Sequence, residues 1–120
     1  MNFIFILFLS TGLVLSPAKY QEQRKTNMVA SWYDCSTKGQ CSHNKITANG
    51  EKFNPNGISA AHKTLPFGTK LRIKYKGKSI IVRINDRGPY IPGRQLDLSR
   101  AAARKLGCKG VCNVEVERIS

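Results

Sequence analysis

The chain has 120 residues, with twenty Lys and Arg against seven Asp and Glu, and a formal net charge of +13. That length suits one domain and leaves no room for a second of ordinary size. The charge exceeds what solubility requires, so it points to an anionic partner (nucleic acid, a membrane surface or an acidic wall polymer) and away from a merely soluble surface.

No charged side chain occurs between Met1 and Ala18, and Phe3 to Leu9 and Leu13 to Leu15 form a short apolar run ending in Ser16-Pro17-Ala18. This is the pattern of a secretory signal peptide cut after Ala18. A transmembrane helix would need roughly 20 apolar residues, and Thr11-Gly12 interrupts the run. No cysteine stands at the expected cleavage point, so no lipid anchor is expected. The mature protein is expected in the periplasm or cell envelope, carrying the entire positive charge. Export argues against nucleic acid, and no basic amphipathic helix of useful length offers a membrane contact.

Residues 19–27 are polar and without periodicity, which predicts a flexible leader before a domain over 28–120. Met28 to Tyr33 predicts a first strand. Cys35 to Gly57 is rich in Gly, Asn, Ser and Lys and reads as a functional loop region, with tight turns at Asn49-Gly50 and Asn56-Gly57. Leu71, Ile73 and Tyr75 alternate with Arg72 and Lys74, and Ser79 to Ile84 follows after Lys76-Gly77-Lys78, predicting a half-buried hairpin. Ser99 to Leu106 predicts the one clear helix, capped by Ser99 and stopped by Gly107. Val111 to Ile119 alternates again as a last strand. Many short strands with one or two short helices predict a mainly β fold, a small closed barrel.

The four cysteines are Cys35, Cys41, Cys108 and Cys112. In an exported chain they predict two disulfides that staple the barrel, with local pairing one of three connectivities. Zinc is the competing reading because His43 follows Cys41, but Cys-x5-Cys-x-His matches no tight ligand template. No metal and no cofactor are expected.

Three polar, Gly-bearing islands border the strands: Thr47 to Glu51, Ala60 to Thr69, and Val82 to Pro89 with Gly93 to Ser99. Taken singly, each residue has a plain structural role. Glu51 suits a solvated turn, His62 a strand end, Asp86 an ion pair with Arg83 or Arg87, and Asp97 the start of the helix. Together they concentrate Glu51, Asp86 and Asp97, three of the seven carboxylates, beside a histidine on a basic surface. Acid–base cleavage of a glycan needs such groups, one to protonate the leaving oxygen and one to deprotonate the attacking hydroxyl.

The segments ASWYD, TANGEKF, AAHKTLPFGTKLRI, VRINDRGPY and GRQLDLSRAAARKLG resemble, in order across most of residues 29–119, the rare lipoprotein A (RlpA-like) family of lytic transglycosylases. The resemblance implies a six-stranded double-psi β-barrel and a carbon–oxygen lyase acting on peptidoglycan, preferring glycan strands without stem peptides. In that reaction the muramic 6-hydroxyl attacks its own C1 and leaves a 1,6-anhydro end. Matched motif by motif, the functional positions fall on Glu51, His62 and Asp86. Asp86 would be general acid and base, with His62 beside it and Glu51 orienting substrate or sharing the proton work. Asn49, Asn85, Arg87, Asp97, Trp32, Tyr33 and Asp34 would support the site, and Trp32, Tyr33, Phe53 and Tyr90 offer stacking faces for sugars. The partner implied is the glycan strand, bound by a monomer.

Many members of that family carry a lipid-anchored cysteine and a glycan-binding C-terminal domain; neither is expected here, so the charge would take over holding the wall. Asp34 stands where Gly is common, and Cys108 and Cys112 are additional. Asp34 opens a second resemblance, to expansins and small inverting endoglucanases. There Asp34 and Asp97 would act across a water with carboxylates roughly 6.5–9.5 Å apart. A non-catalytic wall-binding or wall-loosening barrel is the remaining alternative.

Overall fold

In the computed structural model, which describes residues 25–35 and 46–120, six strands close into a barrel in the order β1-β5-β2-β4-β3-β6. They are β1 (Lys25–Tyr33), β2 (Ser59–His62), β3 (Lys70–Tyr75), β4 (Lys78–Asp86), β5 (Leu96–Ser99) and β6 (Cys112–Arg118), with helix α1 (Arg100–Leu106) between the last two. Two ladders, β1 with β5 and β2 with β4, are parallel, and the other four are antiparallel. This is the double-psi β-barrel that the sequence resemblance implies.

The inward residues are those the alternation selects. Leu71 and Ile73 of β3, Ile80, Val82 and Ile84 of β4, and Val114 and Val116 of β6 are all at most 5% exposed. Leu96 and Leu98 of β5 and Ala102, Ala103 and Leu106 of α1 complete one continuous core. Each buried Leu, Ile or Val contributes about 1.5–3 kcal/mol, which is how so short a chain closes a barrel.

β1 begins at Lys25, three residues ahead of the Met28 boundary, because Lys25, Thr26 and Asn27 pair with Glu117, Val116 and Glu115 of β6. The first described residues of the expected leader are therefore strand. β2 and β5 were not predicted as strands. Each has only four residues, too few for a period to show, and each is held by pairing on both sides. The expected signal peptide over 1–18 lies outside the described residues. No helix among the described residues is long and apolar enough to cross a membrane.

Ser99 caps α1 as expected and does more besides. Its hydroxyl accepts from Ala102 N at 3.1 Å and from Ser59 N at 3.3 Å, and donates to Gly57 O at 2.8 Å. Gly107 ends the helix in the left-handed conformation at φ 85°. Since Ser99 is fully buried, Ser99→Ala leaves two amides and a carbonyl short of a partner. We expect it to cost about 2–3 kcal/mol, read as a lower urea midpoint with unchanged slope.

Cys108 and Cys112 form a disulfide that ties the end of α1 to the start of β6. Cys35 is also disulfide-bonded. Cys41 and His43 lie outside the described residues.

Candidate active site

The outer surface of β1, β5 and β2 carries the groups that matter, and one irregularity brings β4 to them. Ser31 is paired with Asp97, and Asp97 with Ala61, so these three share the face turned away from Leu96 and Leu98. In β4, strict alternation from Ile84 would turn Asp86 towards the core. A bulge intervenes: Ala60 pairs with Ile84 but Ala61 pairs with Asp86, leaving Asn85 as the extra residue. Bulges re-aim side chains in this way, and here Asp86 joins the face of Ala61.

Three donors meet the Asp86 carboxylate. The Tyr33 hydroxyl donates to Oδ2 at 3.3 Å, and the amides of Ala48 and Arg87 donate to Oδ1, each at 2.9 Å. Burial, reinforced by Asp86 and Asp97, pushes the Tyr33 phenol well above its ordinary range, so it remains a donor. Its ring packs on buried Phe53 at 5.6 Å between centroids. Asp97 accepts from the Ser31 hydroxyl at 2.9 Å. Burial raises its pKa above 3.8, opposed by Ser31 and Arg94, with the like charge of Asp86 adding to the rise.

Glu51 is held differently. Arg83 grips both of its oxygens in a fork at 2.6 and 2.7 Å, while Asn49 Nδ2 donates at 2.8 Å and Asn85 Nδ2 at 3.3 Å. These bonds, Arg83 first, lower its pKa from 4.5 to about 2. The same residue closes the turn that presents Ala48, because Thr47 N donates to Glu51 O at 2.7 Å and Gly50 N to Thr47 O at 2.9 Å. Gly50 sits at φ 92°, a conformation that glycine adopts without strain.

The depressed pKa makes acid stability a readout of this clamp. Its contribution is complete above pH 4.5, the unfolded value, and is lost as pH falls through about 2. With the Glu51 side chain 40% exposed, solvent screening leaves about 1 kcal/mol of the full linkage. Wild type should lose that much more stability than Glu51→Gln between these pH values, measured by thermal unfolding.

His62 ends β2, one residue beyond the partner of Asp86. Its Nδ1 accepts from Thr64 N and Leu65 N, both at 3.1 Å, so the neutral ring carries its proton on Nε2. Burial, then Arg87 and Lys63, lowers its pKa below 6.5 and favours that neutral form.

Asp86 pairs with neither Arg83 nor Arg87, the two expected partners. Arg83 is taken by Glu51. Arg87 donates to the carbonyls of His62 at 3.2 Å and Leu65 at 2.9 Å and lies over the Phe67 ring at 3.9 Å, bracing the loop after β2. The structure thus brings together Tyr33, Asp86 and Asp97, with Glu51, Asn49 and Asn85 as a neighbouring network. Tyr90 is 74% exposed, whereas Phe53 is buried. Trp32 and Asp34 are not in this cluster. Trp32 alternates to the core side of β1, where its Nε1 donates to Lys109 O, and Asp34 takes Arg100 of α1 at 3.1 Å. Ser31, Arg83 and the Ala48 amide escaped the sequence reading as site groups, since only the register and the turn bring them in.

The family model described as lytic transglycolase matches residues 25–117. The chain belongs to that family. It is 50% identical over 93 residues to a probable endolytic peptidoglycan transglycosylase RlpA of Synechocystis sp., covering 74% of this chain and 27% of that protein. It is 49% identical over 94 residues to the endolytic peptidoglycan transglycosylase RlpA of Pseudomonas aeruginosa, covering 75% and 26%. The lytic transglycolase domain thus spans about a quarter of the length of these relatives. Among solved structures, the barrel is similar to apo Clavibacter michiganensis expansin, with TM-score 0.62 and 19% identity over 80% of this chain and 50% of that one. It is also similar to a Streptomyces papain inhibitor, with TM-score 0.61 and 20% identity over 80% of this chain and 94% of that one. At such identity these two likenesses speak to the fold alone.

Proposed function

We propose that the domain cleaves peptidoglycan glycan strands as an endolytic lytic transglycosylase in the cell envelope, with Asp86 as its acid and base. The observation that carries this reading is the Asp86 carboxylate, turned outward by the bulge and held by Tyr33 and two backbone amides. Asp86 donates its proton to the glycosidic oxygen as the bond to muramic C1 breaks. The muramic 6-hydroxyl then bonds to C1 and its proton passes to the same carboxylate, so no water is consumed and the strand ends in 1,6-anhydromuramic acid. One group serves both steps because the nucleophile belongs to the substrate.

The neighbours have distinct roles. Tyr33 and the Ala48 and Arg87 amides hold the carboxylate in place. Neutral His62 offers its Nε2 proton to a sugar oxygen. Glu51, with both oxygens in the Arg83 fork, is a poor proton carrier at neutral pH and instead orients the Thr47–Glu51 turn. Strands stripped of stem peptides are the preferred substrate, since each muramic acid then presents a free lactyl carboxylate directly on the sugar to a domain this basic.

Digestion of purified peptidoglycan, with and without stem peptides, followed by mass spectrometry tests the reading. Products ending in 1,6-anhydromuramic acid are expected. Reducing ends would make water the nucleophile, and retention on the wall with no soluble product would make the barrel a binding module; either overturns it.

A further inference from the structure

A second cluster of cations lies outside the site described above, on α1. A cavity of about 290 Å³ is lined by Trp32, Arg100, Arg104, Gly107, Cys108 and Lys109, with Ala103 at its floor. A neighbouring depression of about 380 Å³ shares Arg100 and Arg104 and extends to Asp34 and Asn56. Together they form a groove in the size range of small-ligand sites, about 300–1,000 Å³. One side of the groove is apolar: the indole of Trp32, Ala103 and Cys108. The Trp32 Nε1 bond to Lys109 O, at 3.2 Å, fixes the ring in that wall.

The charge on the groove is mostly positive, with Asp34 the one carboxylate in its lining. Arg100 is partly neutralised by Asp34 at 3.1 Å and leans over the Trp32 ring at 5.8 Å. The Arg104 and Lys109 side chains are exposed and make no ion pair among the described residues. Lys78 adds a further cation, since a Cβ built at Gly107 would lie 3.5 Å from its Nζ. An apolar wall beside unpaired guanidinium and ammonium groups matches a ligand with a carbon face and an acid at its edge.

We propose that this groove is a second glycan subsite that binds a pyranose carrying a carboxylate. Muramic acid becomes such a sugar once its stem peptide is removed and the lactyl carboxylate is free. The ring would lie along Trp32, and the acid would meet Arg104 and Lys109. Naming muramic acid as the source rests on the proposed wall substrate; the preference for an acidic sugar does not.

The test is titration calorimetry on the full chain in an Asp86→Asn background, so that the probe survives. The probe is a soluble GlcNAc–MurNAc oligomer with free lactyl carboxylates, compared with a neutral chitin oligomer of equal length. The acidic glycan is expected to bind at least about tenfold more tightly, and Arg104→Glu with Lys109→Glu to remove about tenfold of that affinity. If the reversed pair fails to fold, Arg104→Gln with Lys109→Gln should still remove roughly threefold. A control of equal charge change, Lys25→Glu with Lys70→Glu, should cost less than about threefold. Equal losses in the two reversals would reduce the groove to bulk charge. Equal binding of chitin, or tighter binding of a phosphodiester polymer, would also overturn the proposal. Cleavage fails or succeeds separately, because it is read by the digest of the unsubstituted protein.

Discussion

Asp86→Asn should lower the rate of anhydromuramic product formation roughly 10³-fold while the barrel stays folded. The substitution is isosteric, and the amide oxygen can still accept from the Ala48 and Arg87 amides that now meet Oδ1 at 2.9 Å. Its NH2 group then faces the Tyr33 hydroxyl, which can accept in place of donating. Binding geometry survives, but no proton can be given to the leaving oxygen or taken from the 6-hydroxyl. The loss corresponds to about 4 kcal/mol of transition-state stabilisation. Initial rates measured beside a urea denaturation curve check it. Cleavage at full rate by a folded Asp86→Asn protein would remove Asp86 from the chemistry.

Glu51→Ala should lower the rate by roughly 10²-fold without touching the reacting atoms. Glu51 is the joint between Arg83 on the barrel wall and the turn whose Ala48 amide holds Asp86. Without the carboxylate, Arg83 and Asn49 lose their shared acceptor and the turn is free to shift. A displacement of about 1 Å at a catalytic carboxylate is enough for such a loss. Because the defect is positional, Glu51→Gln should retain more activity than Glu51→Ala, since its amide oxygen still accepts from Arg83. The pH profile of the residual activity should also keep its shape in both variants. A changed profile would make Glu51 a proton carrier after all.

Much of the architecture is legible in the chain. The hairpin over β3 and β4 shows because Leu71, Ile73 and Tyr75 alternate with Arg72 and Lys74 ahead of a Lys-Gly turn, and a second apolar run follows it. α1 shows because Ser99 and Gly107 mark both its ends. β2 and β5 do not show, because four-residue strands in the middle of a sheet take their conformation from their neighbours. Glu51, Asp86 and His62 stand out as polar residues in glycine-bearing islands, but their division of labour does not. Glu51 looks as able as Asp86 to carry a proton until its fork with Arg83, 32 residues away, is seen. Trp32 and Asp34 look like neighbours of Asp86 until strand parity turns Trp32 to the other side of β1 and Arg100 of α1 takes Asp34.

Composition and spacing alone are enough to point to a basic, disulfide-bearing β-barrel domain with its candidate groups in three glycine-bearing islands. Those properties are local: they depend on charge count, on period-two alternation and on capping residues a few positions apart. The direction in which Asp86 points is not local. Along β4, alternation assigns it to the side of Ile84, inside the barrel, and only the two-against-one pairing with β2 at Asn85 turns it outward. That register depends on closure of the whole sheet, which matches each strand to two partners distant in sequence.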